Sequence, residues 1–275
     1  SVEQAKSFLN FQDKINQELL CHRVIKQNQF TKWFSQGDQS LDQVKCFVVQ
    51  FSVFSNLFLF AQLNKMINAN SLENMHATKE ILANEIGVIF NSGKKQKLQT
   101  ADSDLVGDPE LVSTEGTIDG GKFKFSAAHF EWLLQMAYHL DLEYNDLGKR
   151  RHGTKPTLFF CDELFRIYGN EDYEIAQAAS YAVENWAAAG FWDQLVEGFK
   201  KFRVKHAMPK LPLAFFTWHS KVEAQHALHT QEELEEYFFE HDVDQDLFIK
   251  FGNEMLDGVA AFWDGLEAQR KELEK

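Results

Sequence analysis

Apolar residues recur every three to four positions over long stretches of the chain, the period of helices that bury one face. The pattern predicts helices at about 2–21, 28–36, 39–68 and 71–91, with Ser71 as N-cap of the fourth after the breaker "NANS". It then lapses. Residues 91–124, "NSGKKQKLQTADSDLVGDPELVSTEGTIDGGKFK", are rich in Gly, Asp, Ser and Lys, contain Pro109 and carry no sustained helical period. A loop or hairpin insertion is expected there, with "IDGGK" as a hairpin turn. A solvent-exposed mobile loop is its ordinary reading and a lid over a site its functional one. Helical pattern resumes at about 126–142, and the basic connector "GKRRHGTKP" follows, whose Pro156 can open the next helix. Further helices are predicted at about 157–168, 171–204 with a bend near Gly190, 211–229, 231–240 and 244–274. Thr230 and Glu233 have the spacing of a capping box, which divides the penultimate pair. The fold class is therefore all-α: one helical domain over 1–275, without internal repeats, carrying one irregular excursion at 91–124.

Composition supports this reading, since 275 residues can bury a large core and include only four prolines. The most apolar window, "CFVVQFSVFSNLFLFAQL", is interrupted by Gln50, Ser52, Ser55, Asn56 and Gln62, which predicts a buried core helix rather than a membrane span. A net charge of −13 repels phosphate backbones and anionic headgroups, so neither nucleic acid nor a membrane surface is an expected partner. Cys21, Cys46 and Cys161 form no close metal-ligand pair, and their odd number cannot complete a disulfide framework. The opening "SVEQAKSFLN" lacks the basic start and apolar run of a secretory signal. A cytoplasmic location is the expectation.

The chain contains no Gly-rich phosphate loop, G-x-S-x-G elbow, C-x-x-C pair or H-E-x-x-H. Phosphoryl transfer, serine hydrolysis and zinc proteolysis lose weight accordingly. What remains are carboxylates and histidines on predicted helices: Glu85 in "ILANEIG", His129 in "SAAHFEW", Glu184 in "YAVENW", and the trio His219, Glu223 and His226 in "FFTWHSKVEAQH". On a helix the trio falls within roughly 60° of arc. Its flanks are apolar, and charges in an apolar setting need partners or a metal. A lone Glu on a helix is usually a solvated charge and a lone His usually a surface or core residue, so only the combination carries weight. Carboxylates can bridge hard cations and imidazole stabilises softer divalent states, a donor mixture suited to iron or manganese in a helical bundle. A rival arrangement uses two E-x-x-H pairs, Glu73 with His76 and Glu223 with His226, as in ferritin-like bundles. That scheme needs a Glu one helix earlier, and the stretch from Asp42 to Asn70 has none. Phe215, Phe216, Trp218, Tyr181 and Trp186 are candidates for an apolar substrate pocket. With 26 Phe in the chain, core packing is the ordinary reading of each.

The order Glu, His, Glu and a closing H-x-x-x-[D/E]-x-x-H resembles the heme-oxygenase-like di-iron oxidases and oxygenases. That group includes an alkene-forming fatty-acid decarboxylase, N-oxygenases and the chlamydial p-aminobenzoate-forming protein. "LANEIG" supplies Asn84, Glu85 and Gly87, "KFSAAHFEWL" supplies His129, Glu184 follows 55 residues later and His219 a further 35, over about 72–230. Two departures stand out: the insertion at 91–124 separates Glu85 from His129, and Glu223 stands where many members have Asp. The resemblance implies a TenA/PqqC-like helical bundle in which Glu85, His129, Glu184, His219, Glu223 and His226 hold two irons, the second often loosely. It further implies cycling between Fe(II) and Fe(III), with O2 as co-substrate. Glu184 would bridge the irons, and with Glu223 would be the catalytic carboxylate pair. The implied reaction is reductive O2 activation on a small organic substrate (a fatty acid, amino acid or amine), with room for an external electron donor. Two other classes stay open. One is a metal-free thiamin-salvage enzyme of the same fold, using Cys161 and Glu184. The other is a non-catalytic helical interaction protein whose contact surface is the acidic helix 244–274. Leu247, Phe251, Val259, Phe262 and Leu266 lie on or near one side of that helix, where core or homodimer packing is the ordinary explanation.

Overall fold

A computed structural model describes the backbone of residues 1–91, 122–125 and 128–275, with their side chains apart from Ala77, Glu80, Asn84, 89–91, 122–125 and 222–229. The first three helices are α1 (Val2–Glu18), α2 (Arg23–Lys26) and α3 (Gln29–Phe34), followed by α4 (Leu41–Ile67) and α5 (Leu72–Glu85). Strands β1 (Val88–Asn91) and β2 (Lys122–Phe125) come next, then α6 (His129–Tyr138), α7 (Lys155–Glu163), α8 (Tyr173–Ala187), α9 (Phe191–Lys205), α10 (Ala214–Glu240) and α11 (Gln245–Glu272). The protein is helical, as its pattern predicts, with one antiparallel strand pair among the described residues.

Helix starts follow local chemistry. Ser1 and Ser40 accept from the backbone N–H three residues on, while Gln4 and Gln43 reach back to the cap N–H, so two donors that the helix cannot pair are satisfied at each end. Thr154 caps α7 with Pro156 in its first turn, the position predicted for that proline. The long predicted helix at 171–204 is two helices, because Gly190 at φ +89° turns the chain between α8 and α9 in a region that side chains avoid. The helix predicted to reach 91 stops at Glu85. Gly87 at φ +70° ends it, and the chain becomes β1. The division at Thr230 is absent, since α10 runs unbroken to Glu240 and buries Thr230 in its interior. A capping spacing without a breaker does not stop a helix that packs along its length.

The core is aromatic. Phe47, Phe51 and Phe54 of α4 meet Phe215 and Phe216 of α10, Phe160 of α7 and Phe262 of α11, with ring centroids 4.8–6.0 Å apart in several pairs. The most apolar window of α4 has a mean hydropathy of 1.7 and is long enough to cross a membrane, yet half of it is buried inside the protein, as befits the predicted core helix. The polar interruptions are used in packing. Gln50 donates to the His152 carbonyl and accepts from Thr154 N–H, and Ser52 accepts from Gly148 N–H at 3.0 Å. Of the insertion, Asn91 and 122–124 belong to the strand pair; the "IDGG" of the expected turn and the remainder lie outside the described residues.

Candidate metal centre

Two helix ends and one helix interior converge. Glu85 is the last residue of α5, and His129 is the first of α6. Between them β1 pairs with β2 in the register Val88↔Phe125 to Asn91↔Lys122. The ladder closes the excursion at its base, so residues 44 positions apart are brought within a hydrogen bond: Glu85 Oε2 lies 2.8 Å from His129 Nδ1. A carboxylate accepts, so Nδ1 carries the proton in this arrangement. The third member, His219, projects from α10. Its Nδ1 donates to the Phe215 carbonyl one turn back at 2.6 Å, which makes Nε2 the lone-pair nitrogen.

One ligand atom from each of Glu85, His129 and His219 lies within 4.8 Å of the other two, a group that could bind a metal. His129 and His219 are buried at 4% and 8% exposure. Aromatic rings fix their planes: Trp192 stacks on His219 at 4.5 Å, and Trp132 and Trp218 flank His129 at 5.2 and 4.6 Å. The two imidazoles meet edge to face at 4.9 Å. Locked rings, one carboxylate and exclusion of water are what a metal needs of a preformed site.

Beside this group lies a cavity of about 70 Å³ whose wall includes Glu85, Glu184, His219, Trp186, Phe215 and Trp218. Glu184 therefore faces the same space, although it is not within the 4.8 Å grouping. Of the five aromatic pocket candidates, Trp186, Phe215 and Trp218 line the cavity; Tyr181 and Phe216 do not. Tyr181 donates to Gln231 Oε1 at 2.9 Å and packs on Phe248. Phe216 points into the core against Phe47 and Phe199, because consecutive helical positions diverge by about 100°. The side chains of Glu223, His226 and Asn84 lie outside the described residues. Glu73 and His76 of the ferritin-like alternative are exposed, which leaves that scheme without a buried first pair. Cys161 is buried on α7, and burial pushes its thiol up to about 12, so it is no thiolate nucleophile at neutral pH.

The cavity wall also takes Phe51, Phe54, Ser55, Phe58 and Gln62 from α4 and Trp192 from α9, none of which the sequence singled out for it. Their spacing on α4 is one helical face, with Ser55 and Gln62 as polar residues on an otherwise aromatic stripe. That mismatch was the readable signal. Gln62 Oε1, Trp186 Nε1 and Trp192 Nε1 are buried polar atoms without a protein hydrogen-bond partner, all on residues that line the cavity. Groups of this kind mark a chamber that hosts polar atoms as well as apolar ones.

No protein-family model matches the chain, and no protein of curated function does. Solved structures do match over nearly its full length. A domain of unknown function with a heme oxygenase-like fold from Shewanella denitrificans aligns with a TM-score of 0.60 at 13% identity, covering 98% of this chain and 94% of that one. A CADD-like protein of unknown function from Nostoc punctiforme aligns at 0.58 and 13% identity, covering 100% and 99%. The fold is heme oxygenase-like, as the resemblance implied. At such identity the likeness establishes the fold alone.

Proposed function

We propose that this chain is a non-heme iron oxidase or oxygenase that activates O2 on a small organic substrate, with a di-iron centre as the leading form. The observation that carries the proposal is the buried Glu85, His129 and His219 group, with its ligand atoms within 4.8 Å of one another beside an aromatic cavity. Two imidazoles and a carboxylate fit ferrous iron. Iron bound there would supply the electrons and the coordination position that O2 reduction requires.

The chain's own residues have definable tasks. The Phe215 carbonyl holds His219 Nδ1–H, directing Nε2 to act as donor atom. Glu85 accepts from His129 Nδ1–H, which fixes the orientation of that ring beside the site. Trp186, Phe215 and Trp218 exclude water and orient an apolar substrate portion. Glu184, on the same wall, is assigned the bridging role, and Glu223 and His226 complete the proposed second half. Electrons from an external donor, a cytoplasmic location and a single helical domain belong to the same reading.

Glu85, His129 and His219 by themselves also match the two-histidine, one-carboxylate triad of mononuclear non-heme iron enzymes, the second reading. Loading the purified protein anaerobically with ferrous iron and then exposing it to O2 separates the two. Two irons per chain with O2 consumption support the di-iron form, and one iron with O2 consumption supports the mononuclear form. Less than one iron and no O2 consumption overturn both.

A further inference from the structure

A pocket of about 160 Å³ lies where α2 and α3 pack on α11, and the proposed chemistry does not use it. It shares no wall residue with the aromatic cavity beside Glu85 and His219. Its volume is close to the roughly 150 Å³ of an interior cavity that admits benzene. Val24, Phe30 and Trp263 give it an apolar wall, while Arg23, Asp264 and Glu267 bring charge to it.

Two N–H donors on residues of this wall have no partner among the described residues. Asn28 caps α3, and its Oδ1 accepts from Thr31 N–H at 3.1 Å. That bond fixes which way the amide is turned, so Nδ2 is the end left buried and unpaired. Trp263 is 3% exposed, and its Nε1–H is unpaired as well. Buried indole N–H groups ordinarily find an acceptor. Phe30, Phe51, Trp186 and Phe191 surround this indole at centroid distances of 5.4–6.4 Å, and none of these rings offers an in-plane lone pair. The acceptor has to come from the pocket, and two such donors at one place mark room for a group that the protein does not itself supply.

The charged side chains narrow the choice of ligand. Asp264 accepts two hydrogen bonds from Arg23, at 3.1 and 2.6 Å, and Glu267 holds Arg270 and Lys271. The one cation of the lining is thus neutralised, and a second carboxylate stands on the same wall. An anion is disfavoured there, whereas a neutral acceptor is not. Carboxylate lone pairs also suit a ligand that donates as well as accepts.

We propose that this pocket is a second small-molecule site, for a neutral planar ring that carries an amide or lactam. The ligand's carbonyl supplies the acceptor that Asn28 Nδ2 and Trp263 Nε1 lack, its ring lies against Val24 and Phe30, and its N–H faces the carboxylates. No metal takes part, so the site stands or falls independently of the centre at Glu85.

The test is calorimetric titration of the full chain with benzamide, benzoate and toluene, paired with nuclear magnetic resonance of the six indole N–H groups. Benzamide is expected to bind at least 10-fold more tightly than the other two and to shift the indole signal that Trp263→Phe removes. Trp263→Phe and Asn28→Asp should each weaken benzamide about 5- to 10-fold. The aspartate keeps the oxygen that caps α3 and removes only the Nδ2 donor, so a loss of affinity there is not a loss of folding. Benzamide that does not bind, or binds no more tightly than benzoate or toluene, overturns the proposal. So does an affinity that both substitutions leave intact. Binding that moves the indoles of Trp192 and Trp218, on the metal-site cavity, while Trp263 stays unmoved overturns it too. Should Trp263→Phe not fold, Asn28→Asp carries the test by calorimetry.

Discussion

The α7–α8–α11 region and the α5–β1–β2–α6 edge are held by different means. In the former, Phe160, Trp186 and Phe262 interlock with Phe54 of α4 at centroid distances of 4.8–6.2 Å, and each is at most 2% exposed. In the latter, two of the three grouped ligands are terminal helical residues, joined by a ladder of four residue pairs and one hydrogen bond. Only His219 comes from the interior of a long helix. The scaffold's stability is thus concentrated away from two of the ligands, and the site's geometry depends on where helices stop.

That contrast can be broken by a pair of substitutions, taken from the largest expected effect downward. Phe262→Ala, deep in the first region, is expected to lose about 3–5 kcal/mol of stability by urea unfolding, with iron uptake unchanged in the folded fraction. Glu85→Gln is expected to do the reverse: a stability change within about 1 kcal/mol, and an iron affinity lowered by at least about 10–100-fold in competition with a chelator. If Phe262→Ala weakens iron at native temperature while Glu85→Gln does not, the two regions are not separable in this way.

A third substitution sharpens the point. Gly87→Ala places a side chain at φ +70°, two residues from Glu85, and should destabilise by about 1 kcal/mol by urea unfolding. Because the strain falls where α5 must end, iron affinity should drop with it, whereas Gly190→Ala at φ +89° should reproduce the strain without the loss of affinity. A pH-dependent effect concerns Cys161, in the first region. Its folded thiol holds its proton up to about 12 against an ordinary value of 9.0, so below pH 9 the contribution is complete. Between pH 9 and 12 the unfolded chain releases a proton that the folded chain keeps, and stability declines as pH rises. Replacing Cys161 with Ala should flatten that part of the urea profile. At pH 8, iodoacetamide should label exposed Cys21 and spare Cys161 until the protein unfolds.

Much of the fold was legible. Periodicity located the helices, Ser71 and Pro156 marked true starts, and the bend expected near Gly190 is a break there. The misplaced boundaries share a cause. Gly87 ends α5 six residues before the apolar pattern lapses, while Thr230 and Glu233 imitate a cap inside a continuous helix. Of the site, Glu85, His129 and His219 were named from residue type and order, and among the described residues they come together. The aromatic wall was named less well. Phe215 and Phe216 are adjacent in the chain, yet only the first faces the cavity; the α4 stripe from Phe51 to Gln62 went unread because each residue is unremarkable alone.

Local chemistry, then, determined by sequence alone which segments are helical, that α4 is a core helix, and which side chains are able to bind a metal. These properties depend on neighbours within a turn or two. Tertiary structure alone decided that a strand ladder carries Glu85 to His129 across the insertion, and that Phe215 orients His219 toward them. It also decided that Asn28 and Trp263, far apart in the chain, bring unpaired N–H donors to the wall of one pocket. Those outcomes depend on where helices end and which faces meet, and the free energy that selects them comes from packing distant segments together.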